Sequence, residues 1–569
     1  MKTSLTRIQW ALIAALVLAT APYFLRLGAS SLWDSNESFY AETPREMIEA
    51  GDYVNPTFNY HPRLNKPPLS YWVVASVYNL LGVSGAAERL PIVLGAMAMI
   101  AIAYGLGRVV FSPDAGLLAA IGLAASPRFL MFSRRIIIDV YLAMFMALAL
   151  LMFVLAEKQP ERRRLYLVFM YVSIGLGIIT KGPVAAALPA LVLIVYLALH
   201  RRLGRLREMM LPVGLIVIAA IVLPWYIAIY AQHGWAHIQA FILKDNVSRY
   251  TQPFWGPRRN VFFFLRVLMG DFFPWSLFLI PLLWFGLRHL WFLRRNKPEP
   301  ISDDAVQLKN RLSGLLVIWI VVIVVFFSLS RSKEDLYILP VYPCAAALVG
   351  NFLGGLNGNP RSSQHSAIRW TVLTLAGIIA AATVATWYLF GHGALPYKLA
   401  GASQMACAGI IGGLVAGVAA MFNKTRCAVL ATAFAVIACN WIFVLRVLPD
   451  LERYRPVRSL CEAIASEAGP DALVGYYRAA YPSMVFYLRR PIFEYYLENE
   501  IVTAFSSSKE VFCVINARDY EAIRPQLPPQ TRVLASHPTF QVKLKSILNK
   551  GELPQMILIS NKGGTTDAQ

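Results

Sequence analysis

The sequence predicts a polytopic α-helical membrane protein that ends in a small α/β domain outside the bilayer. Three observations carry that expectation. First, 57% of the 569 residues are hydrophobic and 15% charged, with a mean hydropathy of +0.53; this is too apolar for a water-soluble enzyme and the opposite of a disordered chain. Second, the apolar residues come in runs close to the ~20 residues a helix needs to cross a bilayer, with Pro and Gly scattered through them as membrane helices tolerate. Third, the 53 Lys and Arg exceed the 32 Asp and Glu by 21, and most of the basic residues sit in short loops between apolar runs. There they orient a chain in the membrane and call for no nucleic-acid partner.

The elements follow in order. Lys2 and Arg7 precede an apolar run at 8–27. Its Ala19-Thr20-Ala21 looks like a signal-peptide cleavage site, but Pro22 follows directly and the run has the length of a span, so it is read as the first transmembrane helix. Further spans are expected at about 90–110, 114–130, 136–156, 166–180, 183–199, 211–230, 261–292, 312–329, 337–356, 370–390, 403–421 and 427–446, thirteen in all. From a cytoplasmic N-terminus, alternation puts the basic loops at 162–164, 201–207, 288–297 and 424–426 inside, which is the positive-inside pattern. An apolar stretch at 67–83 would invert every later loop if it crossed, so it is expected as a juxtamembrane or re-entrant helix on the outer face. Residues 1–447 then form the transmembrane domain, with a large first outer loop at 28–68, and 448–569 a domain outside.

That last domain has strand-like runs at 472–476, 511–515, 532–536 and 556–559, and helical patterns at 456–468 and 518–524, the alternation of an α/β unit. It carries neither GxGxxG nor GxxxxGK[ST], and is read as a structural or acceptor-docking module. Of the six cysteines, Cys344, Cys407, Cys427 and Cys439 lie in or beside apolar runs and behave as small hydrophobes. Cys461 and Cys513 leave a disulfide open if the domain faces an oxidising compartment. No CxxC or metal-finger spacing occurs.

The first outer loop holds six acids, Asp34, Glu37, Glu42, Glu46, Glu49 and Asp52, where an even spread would give about two. Trp33, Phe39, Tyr40 and Met47 interleave with them, which predicts a short helix lying on the membrane with some carboxylates partly buried. Such a group has a raised pKa and can act as a general base; a solvated helix face is the alternative. Asn65-Lys66-Pro67-Pro68 stiffens the chain behind a lysine. Arg134, Arg135 and Asp139, then Lys181, then Asn246, Arg249, Arg258 and Arg259, then Arg331, Lys333 and Tyr337 all fall on the outer side, where the positive-inside rule disfavours cations. An anionic phosphate headgroup gives them a reason to be there. Arg266 and Asp271 interrupt an apolar run near the outer end of the eighth span; intramembrane charges of this kind face a cavity or pair with one another.

Asn36-Glu37-Ser38-Phe39-Tyr40-Ala41-Glu42, Arg45-Glu46-Met47, Gly51-Asp52-Tyr53 and Asn65-Lys66-Pro67-Pro68-Leu69 resemble the first periplasmic loop of bacterial GT-C glycosyltransferases, in particular the lipid A aminoarabinose transferase and protein-mannosyltransferase-like family. The resemblance continues through Arg135 and Asp139, Thr180-Lys181-Gly182-Pro183, Gly270 before Pro274-Trp275, and Ser328-Leu329-Ser330 leading to Tyr337-Ile338-Leu339-Pro340. One position departs. The family's loop carries a catalytic Asp where this chain has Asn36, and Asn cannot serve as a base.

The resemblance implies the GT-C fold in a bacterial inner membrane, with the active site and the C-terminal domain on the periplasmic side. The implied activity is sugar transfer from a polyprenyl-phosphate donor to a lipid, glycoconjugate or protein acceptor among the membrane lipids. Phosphate is already a good leaving group, so the site needs a carboxylate for the acceptor and cations for the departing phosphate. The first role is expected of Glu37 or Asp34, with Asp139 nearby. The second falls to Lys66, Arg249 and Lys181, with Asn36, Tyr40 and Tyr337 lining the substrate cavity. Some family members bind a divalent metal, for which His61 and the acids would serve, but a lone loop His is more often a surface residue and no metal is assigned. A flippase or transporter is the rival class, and loss of catalysis through Asn36 a second alternative. Transport predicts a halved repeat and charges at the membrane midplane; the sequence has no such repeat, and its polar residues gather at one face.

Overall fold

The computed structural model describes residues 7–34, 36–242, 248–251, 259–295, 303–355, 362–392, 395–540 and 553–562. Among these, nine helices are long and apolar enough to cross a membrane, and up to eleven if each of two bent pairs is one span. The bent pairs are Pro113–Ala125 with Pro127–Ser133, at 67°, and Phe263–Asp271 with Trp275–His289, at 115°. Every expected span coincides with a helix, but Gln9–Phe24 and Val184–Leu199 are shorter than the rest. By helix length, the described residues support nine to eleven of the thirteen expected spans. Leu69–Leu81 has 13 residues, about 20 Å at 1.5 Å per residue, and is too short to cross.

Small residues bring the helices together. Tyr342–Gly354 runs along Pro113–Ala125 so closely that a Cβ on Gly350 would stand 2.3 Å from the Ala115 carbonyl oxygen. Close backbone approach of this kind provides van der Waals contact between helices where lipid removes the hydrophobic drive.

The two ends of the bundle differ in chemistry. At one end Glu157 accepts from Arg163 at 2.7 Å and Arg205 at 2.6 Å, tying two of the basic loops together. Asp139 begins the same helix, Ile138–Lys158, and lies about 27 Å away along the axis. Around Asp139 gather the first loop, Lys181, the 331–340 segment and the C-terminal domain.

That domain is a five-stranded sheet in the order Phe493–Tyr495, Leu473–Tyr477, Val511–Asn516, Gln555–Ser560 and Arg532–Pro538. The first three strands are parallel and the last two antiparallel to their neighbours. Strand alternation sends Val474, Phe512, Val514 and Leu558 against the helix Val457–Glu467. It sends Tyr477, Cys513, Ile515 and Ile559 to the other face, with Ile501, Phe505 and Ile523. Cys461 and Cys513 thus lie on opposite faces of the sheet, both buried and unpaired. The strand Phe493–Tyr495 is too short and too charged to have been expected.

The domain sits on the first loop. Asp34 accepts from the Ser483 N–H at 3.1 Å, Tyr487 receives the Leu32 N–H at 2.7 Å, and Asn59 exchanges two 2.8 Å bonds with the backbone of Ile492. The loop and the domain therefore share one side of the bundle. Cysteines replacing Tyr53 and Leu497, both exposed, in a background freed of native cysteines should react with an impermeant maleimide from the same side of sealed vesicles. One replacing Arg202 should react only from the other side.

Candidate active site

Four chain segments bring three charged side chains and a tyrosine to one cavity. Asp139 sits in the first turn of Ile138–Lys158. Lys181 is the last residue of Arg163–Lys181, and the chain leaves through Gly182 at φ +112°, a backbone conformation open to glycine and strained for other residues. Lys66 is held by Pro67 and Pro68 ahead of the Leu69–Leu81 helix. Tyr337 lies in the short 3₁₀ turn Asp335–Val341. Together with Tyr250 and Ser330 these residues line a cavity of about 370 Å³. Its other wall is apolar: Leu142, Met146, Val184, Leu188, Phe326 and Phe327. Lys181 pairs with Asp139, and its Nζ stands 5.4 Å from the Tyr337 ring centroid. Among the described residues two lysines and one carboxylate line the polar side, and the apolar wall suits a hydrocarbon chain. The arrangement fits an anionic lipid headgroup.

The sequence-expected residues divide. Lys66, Asp139, Lys181 and Tyr337 come together in this cavity. Glu37, expected as the base, does not line it. It is 1% exposed in an ion pair with Arg89, which is equally buried; its Oε1 accepts from Arg89 Nε at 2.8 Å and its Oε2 from the Trp33 N–H at 2.6 Å. Burial pushes this carboxyl up, but Arg89 and the Trp33 amide outweigh it and hold Glu37 below the usual carboxylate range. Its oxygens are spent on structure. Asp34 is likewise committed, to Ser483; burial raises its pKa, offset in part by those bonds and by Arg455. Asn36 precedes the Glu37–Ala50 helix with its side chain exposed and making no cap bond. Tyr40 is buried, stacked on Tyr71 with ring centroids 5.6 Å apart. None of Asp34, Asn36, Glu37 and Tyr40 lines the cavity. Asn246, Arg258 and the side chain of Arg249 lie outside the described residues; Tyr250, next to Arg249, lines the cavity.

Several outer cations have structural partners. Arg134 donates to the carbonyls of Pro22, Tyr23 and Leu25, closing the orphan end of the first helix. Arg135 and Arg455 stand over the Trp33 ring at 3.3 and 4.4 Å from its centroid. Arg259 donates to the Lys333 carbonyl. Arg266 and Asp271 do not pair with each other: Arg266 bonds Asn260 at 3.2 Å, and Asp271 faces Arg128 at 3.5 Å. Sequence reading missed Arg89, whose partner is 52 residues away; an arginine five residues into a 26-residue apolar helix was the available signal. His61 is exposed, and among the described residues no three His, Cys, Asp or Glu side chains converge as metal ligands.

The fold that carries this cavity, where the bundle meets its outer loop, is the GT-C fold. Over 99% of this chain and 100% of the other, it matches the crystal structure of ArnT from Cupriavidus metallidurans bound to undecaprenyl phosphate, with a TM-score of 0.76 at 22% identity. The sequence profile of the family described as dolichyl-phosphate-mannose-protein mannosyltransferase matches residues 65–227. The chain is 28% identical over 383 residues to the undecaprenyl phosphate-alpha-4-amino-4-deoxy-L-arabinose arabinosyl transferase of Pectobacterium carotovorum, covering 65% of this chain and 64% of that protein. A second relative of that description, from Pseudomonas fluorescens, is 29% identical over 418 residues, covering 68% of this chain and 64% of the relative. The chain thus spans just under two thirds of the length of these two relatives. The resemblance read from the first loop is the one the comparisons find.

Glu46, in that loop, supplies a pH test. Burial, with Glu42 beside it, raises its pKa to about 7 despite bonds from Thr57 and the Tyr60 N–H. The folded state therefore keeps a proton that the unfolded chain releases near pH ~4.5, so stability is lost as pH rises through about 7. Hydrogen exchange at 57–60, corrected for its intrinsic pH dependence, should increase across that range, and Glu46→Gln should abolish the increase.

Proposed function

We propose that this protein is a membrane glycosyltransferase that moves a sugar from a polyprenyl-phosphate donor to a lipid or glycoconjugate acceptor at the periplasmic face of a bacterial inner membrane. The observation that carries this reading is the cavity, in which Lys66, Lys181 and Asp139 meet a wall of Leu, Met, Val and Phe. The polyprenyl chain lies along the wall and the phosphate sits between the two lysines. As the phosphate arrives it shares Lys181 with Asp139. That carboxylate, no longer fully neutralised, orients the acceptor hydroxyl and takes its proton. The bond from the anomeric carbon to phosphate oxygen breaks as the bond to acceptor oxygen forms, and the lysines take up the charge left on the polyprenyl phosphate. Asp139 has this role because Glu37 and Asp34 are held in other bonds and Asn36 carries no charge. The relatives' names support the donor class, and the basic loops at the far end of the bundle support the orientation.

Lys66→Ala removes a charge-assisted contact worth about 1.5–3 kcal/mol, so turnover of an undecaprenyl-phosphate sugar should fall on the order of ten- to a hundredfold, with Lys66→Arg restoring it only in part. Unchanged turnover would take Lys66 out of the site. Asp139→Asn keeps the shape but cannot accept a proton, and should lower the rate by roughly a hundred- to ten-thousandfold while donor binding persists. If Asp139→Asn is fully active, the acceptor needs no base from this cavity.

A further inference from the structure

Near the cavity, and not lining it, Arg128 lies between two carboxylates. It follows Pro127 at the 67° bend after Pro113–Ala125. Its Nη2 donates to Asp335 at 2.6 Å, its Nε stands 3.5 Å from Asp271, and its guanidinium lies 4.5 Å from the centroid of the Phe132 ring. Asp271 in turn accepts from the Tyr342 hydroxyl at 3.2 Å. One arginine thus joins three separate elements: the bent end of the Pro113–Ser133 pair, the end of Phe263–Asp271, and the turn Asp335–Val341.

The third connection reaches the cavity. The Asp335 carboxylate that Arg128 grips also accepts the N–H of Leu336, at 3.1 Å, and so opens the turn whose Leu336 and Tyr337 line the cavity. At the far end of that turn Trp319 donates to the Pro340 carbonyl at 2.9 Å. The turn is pinned at both ends, and its middle places the Tyr337 ring beside Lys181. Without Arg128, Asp271 and Asp335 would face each other with no cation between them. That repulsion would push the 331–337 segment outward, away from Lys181.

We propose that Arg128 is a positioning residue for the lipid-phosphate cavity, acting through Asp335 to hold Tyr337 against Lys181. This rests on the donor reading above, but the clamp has a readout of its own. The test uses the full-length protein in lipid nanodiscs, with hydrogen exchange at 331–337 and titration with undecaprenyl phosphate measured on the same samples. In Arg128→Ala, exchange at 331–337 should rise, and undecaprenyl phosphate affinity should fall about three- to tenfold, the scale of one lost charged contact. Arg128→Lys keeps the cation and should recover most of both losses. Asp335→Asn keeps the side-chain shape and one acceptor oxygen but replaces the ion pair by a neutral bond and leaves no pair of carboxylates to repel, so it should move both readouts in the same direction as Arg128→Ala but by less, and it serves as the test if Arg128→Ala folds poorly. Wild-type affinity in Arg128→Ala, or weakened affinity with exchange at 331–337 unchanged, would overturn the proposal. A wild-type protein that does not bind undecaprenyl phosphate would defeat the donor reading alone, and the exchange comparison would still decide whether the clamp exists.

Discussion

The buried pair of Glu37 and Arg89 is the constraint from which the outer half of the molecule is organised. Arg89 lies in the first turns of Gly85–Val110, and its guanidinium reaches both Glu37 oxygens and the carbonyls of Leu27, Ser30 and Ser31. One side chain therefore joins the end of the first helix, the loop beyond it and the helix that starts at Glu37. Breaking such a pair by removing one partner costs about 3–5 kcal/mol, because the other charge is left buried. With the pair in place, residues 31–34 have one position, and onto that strip the C-terminal domain docks through Arg455, Ser483 and Tyr487.

The same economy of charge explains which cations remain for chemistry. At the membrane boundary every carbonyl and carboxylate without a partner is costly, and the arginines of this face are largely spent on them. Arg134 closes a helix end, Arg128 separates two aspartates, and Arg455 binds loop carbonyls. Among the described residues, Lys66 and Lys181 are the basic side chains that line the cavity. A lysine is a compact charge on a flexible stem, suited to following a phosphate that changes charge during transfer, whereas a guanidinium fixed in a fork of carbonyls is suited to holding backbone. The division of labour between the two residue types follows from this.

Much of the fold was legible because hydropathy is a local property. Apolar runs marked the helices, and the stretch at 67–83, which would invert every later basic loop if it crossed, is the Leu69–Leu81 helix. In the C-terminal domain the β-branched and aromatic runs at 472–476, 511–515, 532–536 and 556–559 each fall on a strand. Phe493–Tyr495 escaped because a three-residue strand holds its place through its neighbour Leu473–Tyr477, not through its own pattern.

For the site, the sequence by itself determined the residue types and the motifs that carry them: Lys66 before two prolines, Lys181 before Gly182, Asp139 and Tyr337 in ordered motifs. Only the tertiary structure decided which acid is available. Glu37, Asp34 and Asp139 are equivalent as letters, each a carboxylate beside aromatic or apolar neighbours. Their surroundings differ because the partners that claim them come from far along the chain: Arg89 for Glu37, Ser483 for Asp34. Asp139 instead meets a lysine that itself lines the cavity. Local sequence fixes what a side chain can do, but its protonation and its freedom are set by charges and donors that the fold brings within a few ångströms, and pairings across 52 or 449 residues leave no local pattern to read.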